Sequence, residues 1–203
     1  MRHLLAPVVL AACVVGACTP AVEEPTTAPP PSPTVSVSAS PSRTPEPSPS
    51  PTVAESFPPA PASESPEQAA VRAAWMEYWR VYQKFAQDPS VTDWSETQLV
   101  TTGEESGAII SAIGDLKDRG WRSLGGLEFR DIQVVLTPGD AEGPNRAEVT
   151  YCLDRSDVSI VDAESGVAVA VGGSATLRES AELEHGADGI WRVSKVRNEP
   201  QAC

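Results

Sequence analysis

The chain has 203 residues and a formal net charge of −13, from 28 Asp and Glu against 15 Lys and Arg. So acidic a balance leaves no basic face for phosphate, and no nucleic acid is expected as a partner. Fifteen of the 20 prolines fall between Pro20 and Pro66. They separate a stretch that cannot build a core from a following stretch of about 138 residues, the size of one ordinary domain.

At the N-terminus, Arg2 and His3 supply charge, Leu4 to Val15 an apolar run, and Gly16 and Ala17 small residues ahead of Cys18. That order is the order of an export signal, and Val15-Gly16-Ala17-Cys18 resembles the end of a bacterial lipoprotein signal. The resemblance implies removal of residues 1–17 and a diacylglyceryl group on the Cys18 sulfur. It places the mature chain on the extracytoplasmic face of the cell membrane, with the membrane as a partner through two acyl chains, a firmer grip than one chain gives. The apolar run is far shorter than the ~20 residues that cross hydrocarbon, which argues against an uncut anchor. A cut before Cys13 also fits, after Leu10-Ala11-Ala12. It leaves an apolar region of only about seven residues, so length favours Cys18.

Residues 18–65 interleave proline with Ser, Thr and Ala, as in Pro45-Glu46-Pro47-Ser48-Pro49-Ser50-Pro51. Proline removes an amide donor and pushes its predecessor to extended geometry. With Phe57 as its sole aromatic, the block lacks the apolar surface to offset ordering entropy and is expected to be a disordered, polyproline-like linker. At about 3.1 Å per residue, roughly 45 residues reach on the order of 140 Å.

The domain, expected over residues 66–203, opens with helices. Ser65-Pro66-Glu67-Gln68 carries an N-cap serine, a proline at the first helical position and a glutamine that closes a capping box. Val71, Trp75, Tyr78, Tyr82 and Phe85 recur at helical spacing, and Asp88-Pro89 ends the helix near Gln87. A short helical stretch is expected from Asp93. Thr102 and Glu105 predict a second capping box, Ile109, Ala112, Ile113 and Leu116 an apolar stripe, and Gly120 the helix end. Alternation then replaces helical spacing. Residues 127–136 predict a strand with an irregularity near Arg130, where the apolar parity shifts. Ala147, Val149, Tyr151 and Leu153 share one face of the next strand. Val158–Val161 with Val167–Val171, and Ala175–Glu184 with Ile190–Val196, predict two hairpins. Helices followed by a meander make an α+β domain, with N-terminal helices packed on a curved antiparallel sheet.

An aromatic-rich first helix, a long bent hairpin and a last strand entered through Asp188-Gly189-Ile190-Trp191-Arg192-Val193 together resemble the nuclear transport factor 2-like superfamily of cone-shaped domains. Tyr151-Cys152-Leu153-Asp154-Arg155-Ser156, the later Val161-Asp162, and Trp191-Arg192-Val193-Ser194 with Cys203 resemble small secreted lipoproteins of high-GC Gram-positive bacteria. The resemblance implies a fold and names no chemistry. An exported chain meets an oxidising compartment, and the two remaining cysteines, Cys152 and Cys203, are expected to form a disulfide. Two thiols alone fall short of the four ligands of structural zinc, and no metal or cofactor is expected.

No catalytic residue is assigned. His185 has no Gly-x-Ser-x-Gly beside it, and Gly172-Gly173-Ser174 reads as a turn. Asp154-Arg155-Ser156-Asp157 reads as a charged strand connection with a local ion pair. The expected function is a small non-enzymatic binding or interaction domain held on a stalk, its partner a cell-envelope protein or a small ligand. In that reading Trp75, Tyr78, Tyr82, Phe85, Val149 and Tyr151 fill the space between helix and sheet, while Asp154, Asp157 and Asp162 lie in solvent. The alternative is a small-molecule isomerase or cyclase using a carboxylate in the cone. An open pocket of ~300 Å³ or more, with a carboxylate beside a tyrosine hydroxyl, would favour it.

Overall fold

The computed structural model describes residues 56–139, 145–199 and 203. The signal, Cys13, Cys18 and the linker up to residue 55 lie outside the described residues. Three helices, α1 (Pro66–Gln87), α2 (Thr97–Val100) and α3 (Glu105–Asp118), precede six strands. The strands are β1 (Trp121–Leu124), β2 (Glu128–Thr137), β3 (Arg146–Asp154), β4 (Ser159–Asp162), β5 (Thr176–His185) and β6 (Trp191–Glu199). Four of them form one antiparallel sheet in the order β2-β3-β5-β6, and β1 pairs with β4 in a separate two-stranded sheet. The domain is α+β, with helices against one face of the larger sheet.

Local chemistry sets the boundaries of α1. The Ser65 hydroxyl accepts from the Gln68 amide at 3.2 Å and the Gln68 side chain accepts from the Ser65 amide at 3.0 Å, closing the expected capping box. Trp75, Val71 and Phe85 are buried on the inner face of the helix. They meet a row of inward residues on the sheet, where Ala147, Val149, Tyr151 and Leu153 of β3 stand opposite Leu183, Ala181, Glu179 and Leu177 of β5. All eight share one parity, and within that row Glu179 is the one ionisable carboxyl.

The irregularity in the first long strand is a register shift between Arg130 and Gln133, with Asp131 at φ 53°. An extra residue there bends the strand, so the sheet curves over the helices. Cys152 and Cys203 are bonded, with α-carbons 5.8 Å apart, as the cysteine pairing predicts.

Three local expectations need correction. Val158–Val161 and Val167–Val171 form only the start of a hairpin. The turn closes and one antiparallel bridge, Val161–Ala168, joins the arms, with the Asp162 amide donating to the Val167 carbonyl at 2.9 Å and the Val169 amide to the Ile160 carbonyl at 2.8 Å. Along its length β4 pairs with β1. β1 is short and carries Arg122 and Ser123, so neither length nor alternation marks it. Thr102 and Glu105 make no capping box, since no side chain caps α3. The residues ahead of α1 that composition assigns to the linker also make tertiary contacts. Phe57 stacks on Phe129 at 4.8 Å between ring centroids and meets Trp75 edge-on at 5.5 Å. Glu64 pairs with the buried Arg72 at 2.8 Å.

Candidate functional site

Helix and sheet do not close completely on one another. Between α1, α3 and the ends of β3 and β5 lies a cavity of about 630 Å³, lined among others by Tyr78, Trp79, Tyr82, Glu105, Leu153, Arg155 and Glu179. The expectation of a filled interior is therefore corrected. Trp75 and Tyr151 pack in the core as expected, but Tyr78 and Tyr82 face open space on one side. Trp79, on a second apolar face of α1, joins them rather than meeting solvent. Apolar spacing on a helix locates a buried face, and it does not say how completely the opposite wall fills it.

Two carboxyl groups face this cavity in contrasting states. Glu105 opens α3, where its Oε1 accepts from the Tyr78 hydroxyl at 2.7 Å and its Oε2 from the Val196 amide at 3.1 Å. Both oxygens are engaged, so Glu105 ties α1 and β6 together at the start of α3. Burial pushes its pKa up, against the pull of those two hydrogen bonds. The Tyr78 hydroxyl is pushed well above its ordinary value, first by burial and then by the charge of Glu105.

Glu179 is different. It is only 3% exposed, and its Oε2 has no hydrogen-bond partner among the described residues. The buried Tyr151 hydroxyl and the indole N–H groups of Trp75 and Trp79 also make no hydrogen bond of ordinary geometry among the described residues, but they are one another's neighbours, since both indoles and Glu179 act on the Tyr151 hydroxyl. Tyr151 is the direct cross-strand neighbour of Glu179, and its ring lies 4.9 Å from Trp75 and 6.2 Å from Trp79. Buried polar groups are normally satisfied, because an unpaired one costs about 1–3 kcal/mol. Of these four residues Glu179 and Trp79 line the cavity, and a buried carboxyl at such a wall is placed to meet a polar atom of a ligand.

The electrostatics agree with that geometry. Burial pushes Glu179 up to about 7, although the nearby Tyr151 hydroxyl and the Arg155 guanidinium favour its ionised form. Tyr82 is raised by burial and then by Glu179, with Arg155 acting in the opposite sense. At neutral pH the Glu179 carboxyl is thus divided between an acid that donates and an anion that accepts.

The aspartates singled out from sequence lie elsewhere. Asp154 accepts from Arg130 at 3.0 Å and from the Ser156 amide at 3.0 Å. Asp162 caps its own turn through Ser165 at 2.8 Å, and Asp157 is exposed. None of the three lines the cavity. The expected local ion pair is also corrected, because Asp154 pairs with Arg130 across the strands and not with Arg155. Sequence reasoning missed Glu179 and Glu105. For Glu179 a signal was present, since Leu177, Glu179, Ala181 and Leu183 share one parity and place a carboxyl among inward residues.

Among the described residues no group of three or more His, Cys, Asp or Glu is arranged to hold a metal ion. No protein-family model matches the chain, and no curated protein matches it. Among solved structures, the chain is similar to the intermembrane space region of the chloroplast protein ARC6, at 10% identity over 68% of this chain and 98% of that one, with a TM-score of 0.44. It is also similar to a ketosteroid isomerase-like protein from Erwinia carotovora atroseptica, at 13% identity over 66% of this chain and 95% of that one, with a TM-score of 0.42.

Proposed function

We propose that the chain is a lipid-anchored extracytoplasmic protein that holds a small-molecule-binding domain of the nuclear transport factor 2-like kind away from the membrane on a proline-rich stalk. The observation that carries the binding assignment is a largely apolar cavity of about 630 Å³ with the buried Glu179 carboxyl at its wall, one oxygen of which has no hydrogen-bond partner among the described residues. That volume lies within the ~300–1,000 Å³ usual for small-ligand sites. Apolar walls supply most of the binding energy at roughly 25 cal/mol per Å² buried, and the few polar groups fix orientation.

The neutral fluorophore N-phenyl-1-naphthylamine tests the assignment. Its emission is expected to rise and shift to the blue on binding the domain. Ala112→Trp, which places an indole into the lining from α3, is expected to weaken that binding by at least tenfold without loss of the fold. Binding that Ala112→Trp leaves untouched would place the probe elsewhere and defeat the assignment.

The anchor rests on the residues before Cys18. Labelling with a fatty-acid analogue in the producing bacterium is expected to vanish in Cys18→Ala and to persist in Cys13→Ala. Labelling that follows Cys13 moves the anchor to that residue.

One observation favours a second reading. A carboxyl held at about 7 suits a general base at neutral pH, as in an isomerase or cyclase that removes a carbon-bound proton. Turnover lost in Glu179→Gln, with probe binding kept, would transfer the assignment to that reading.

A further inference from the structure

We infer that the cavity takes an amphipathic anion, with its apolar body between the helices and the sheet and its carboxylate-type head on Arg155. The inference rests on the small-molecule reading above and adds the class of ligand.

Arg155 directly follows β3, and its amide donates to the Ala175 carbonyl just ahead of β5 at 2.9 Å. It therefore sits at the end of the sheet where exposed residues 171–175 form one rim of the cavity. Its Nε donates to the Ser174 carbonyl at 2.7 Å, which fixes the plane of the guanidinium. Gly173, at φ 130°, gives the side chain room: a Cβ at that position would collide with Arg155 Nη2. With Nε engaged, Nη1 and Nη2 remain as a pair of parallel donors, the arrangement that meets a carboxylate end-on.

No carboxylate among the described residues pairs with those donors, although Glu179 across the cavity lies near enough for the guanidinium to favour its ionised form. Arg72, Arg80, Arg130, Arg146, Arg192 and Arg197 each pair with Asp or Glu, whereas Arg155, like Arg119, Arg122 and Arg178 outside the cavity, makes no ion pair among the described residues. Among the described residues it is also the only cation lining the cavity. From Pro66 onward 13 Lys and Arg face 23 Asp and Glu, a balance of −10. In so acidic a domain, an arginine left unpaired at the rim of an apolar cavity is a specific attraction, and the surrounding charge rejects anions elsewhere on the surface.

The spacing suits a short chain molecule. Glu179 lies three residues along β5 from Thr176, whose cross-strand partner Asp154 directly precedes Arg155. At about 3.3 Å per residue that separates the polar wall from the rim by roughly 10 Å. Leu153 and Leu177 line the interval.

Displacement of bound N-phenyl-1-naphthylamine by decanoate, 1-decanol and decylamine at pH 8 tests the inference. Decanoate is expected to compete at a concentration at least tenfold below that of 1-decanol, as a charge-assisted pair of hydrogen bonds allows. In Arg155→Met that advantage is expected to disappear while competition by 1-decanol stays the same, and Arg155→Lys should keep part of it. A purely structural role for Arg155 would change both competitors together and would overturn the inference. Equal competition in the unaltered protein, or decylamine the strongest of the three, would overturn it as well while leaving the cavity a binding site. Failure of the naphthylamine itself to bind would defeat the small-molecule reading and this inference together.

Discussion

Glu179→Gln is expected to stabilise the domain at pH 8, raising the thermal midpoint by about 5 °C or more, and to leave stability below pH 4.5 nearly unchanged. The ordinary carboxyl pKa of 4.5 governs the unfolded chain, and the folded value is about 7. Below 4.5 both states hold the proton. Between 4.5 and 7 the unfolded chain has released it and the folded protein has not, so stability falls as pH rises through that window. Above 7 the cost of the buried carboxylate is complete, at most about 3–4 kcal/mol for a shift of this size. Glutamine keeps the shape, carries no charge and removes the slope, and each kcal/mol regained moves the midpoint of a domain of this length by roughly 3–5 °C. Glu105 is raised as well, so part of the slope survives in the variant. A Glu179→Gln midpoint equal to or below that of the unaltered protein at pH 8 would mean that the carboxylate is partnered in the fold, and the site would lose its main support. A side chain that costs stability at neutral pH, where an uncharged one would not, fits a binding or chemical task better than a structural one.

Much of this architecture was legible in the residues. The first helix begins and ends where Ser65, Gln68 and Asp88-Pro89 place its boundaries, since capping and proline act locally and need no tertiary information. The bend near Arg130 was legible because an apolar parity that shifts within one strand requires an extra residue. The β1–β4 sheet was not legible, because four-residue strands such as Trp121–Leu124 pair through contacts distant in sequence. Glu105 misled for a related reason. A glutamate three residues after a threonine satisfies the capping pattern, but Tyr78 and the Val196 amide outcompete the helix start for its carboxylate. The cavity itself had no signature, since Tyr78, Trp79 and Tyr82 show the same helical spacing whether they meet side chains or open space. Glu179 marks the difference, as a carboxyl on the inward parity of a strand gains nothing from a filled core.

Loss of the Cys152–Cys203 bond is expected to destabilise the domain by about 4 kcal/mol, the second large effect. The bond closes a loop with a sequence separation of 51, for which the chain-entropy model gives that magnitude. Cys203→Ser is the informative variant, because it leaves Cys152, which is fully buried, as an unstrained small apolar residue. The denaturant midpoint of Cys203→Ser should match that of the unaltered protein under strong reductant. A midpoint unmoved in both would show that packing alone holds the C-terminus. The position of the bond also predicts where loosening occurs. β6 is an edge strand, and Cys152 lies on β3, two strands away in the sheet. Without the bond, what holds β6 among the described residues is its pairing with β5, the Thr101–Val193 bridge and its contacts with the helices. Val196 and Asn198 of that strand line the cavity, and the Val196 amide holds Glu105. Amide exchange in Cys203→Ser should therefore accelerate first in β6, and N-phenyl-1-naphthylamine should bind more weakly at a temperature where the fold persists. Accelerated exchange in β6 with binding unchanged would separate the disulfide from the cavity and leave it a staple for the chain end.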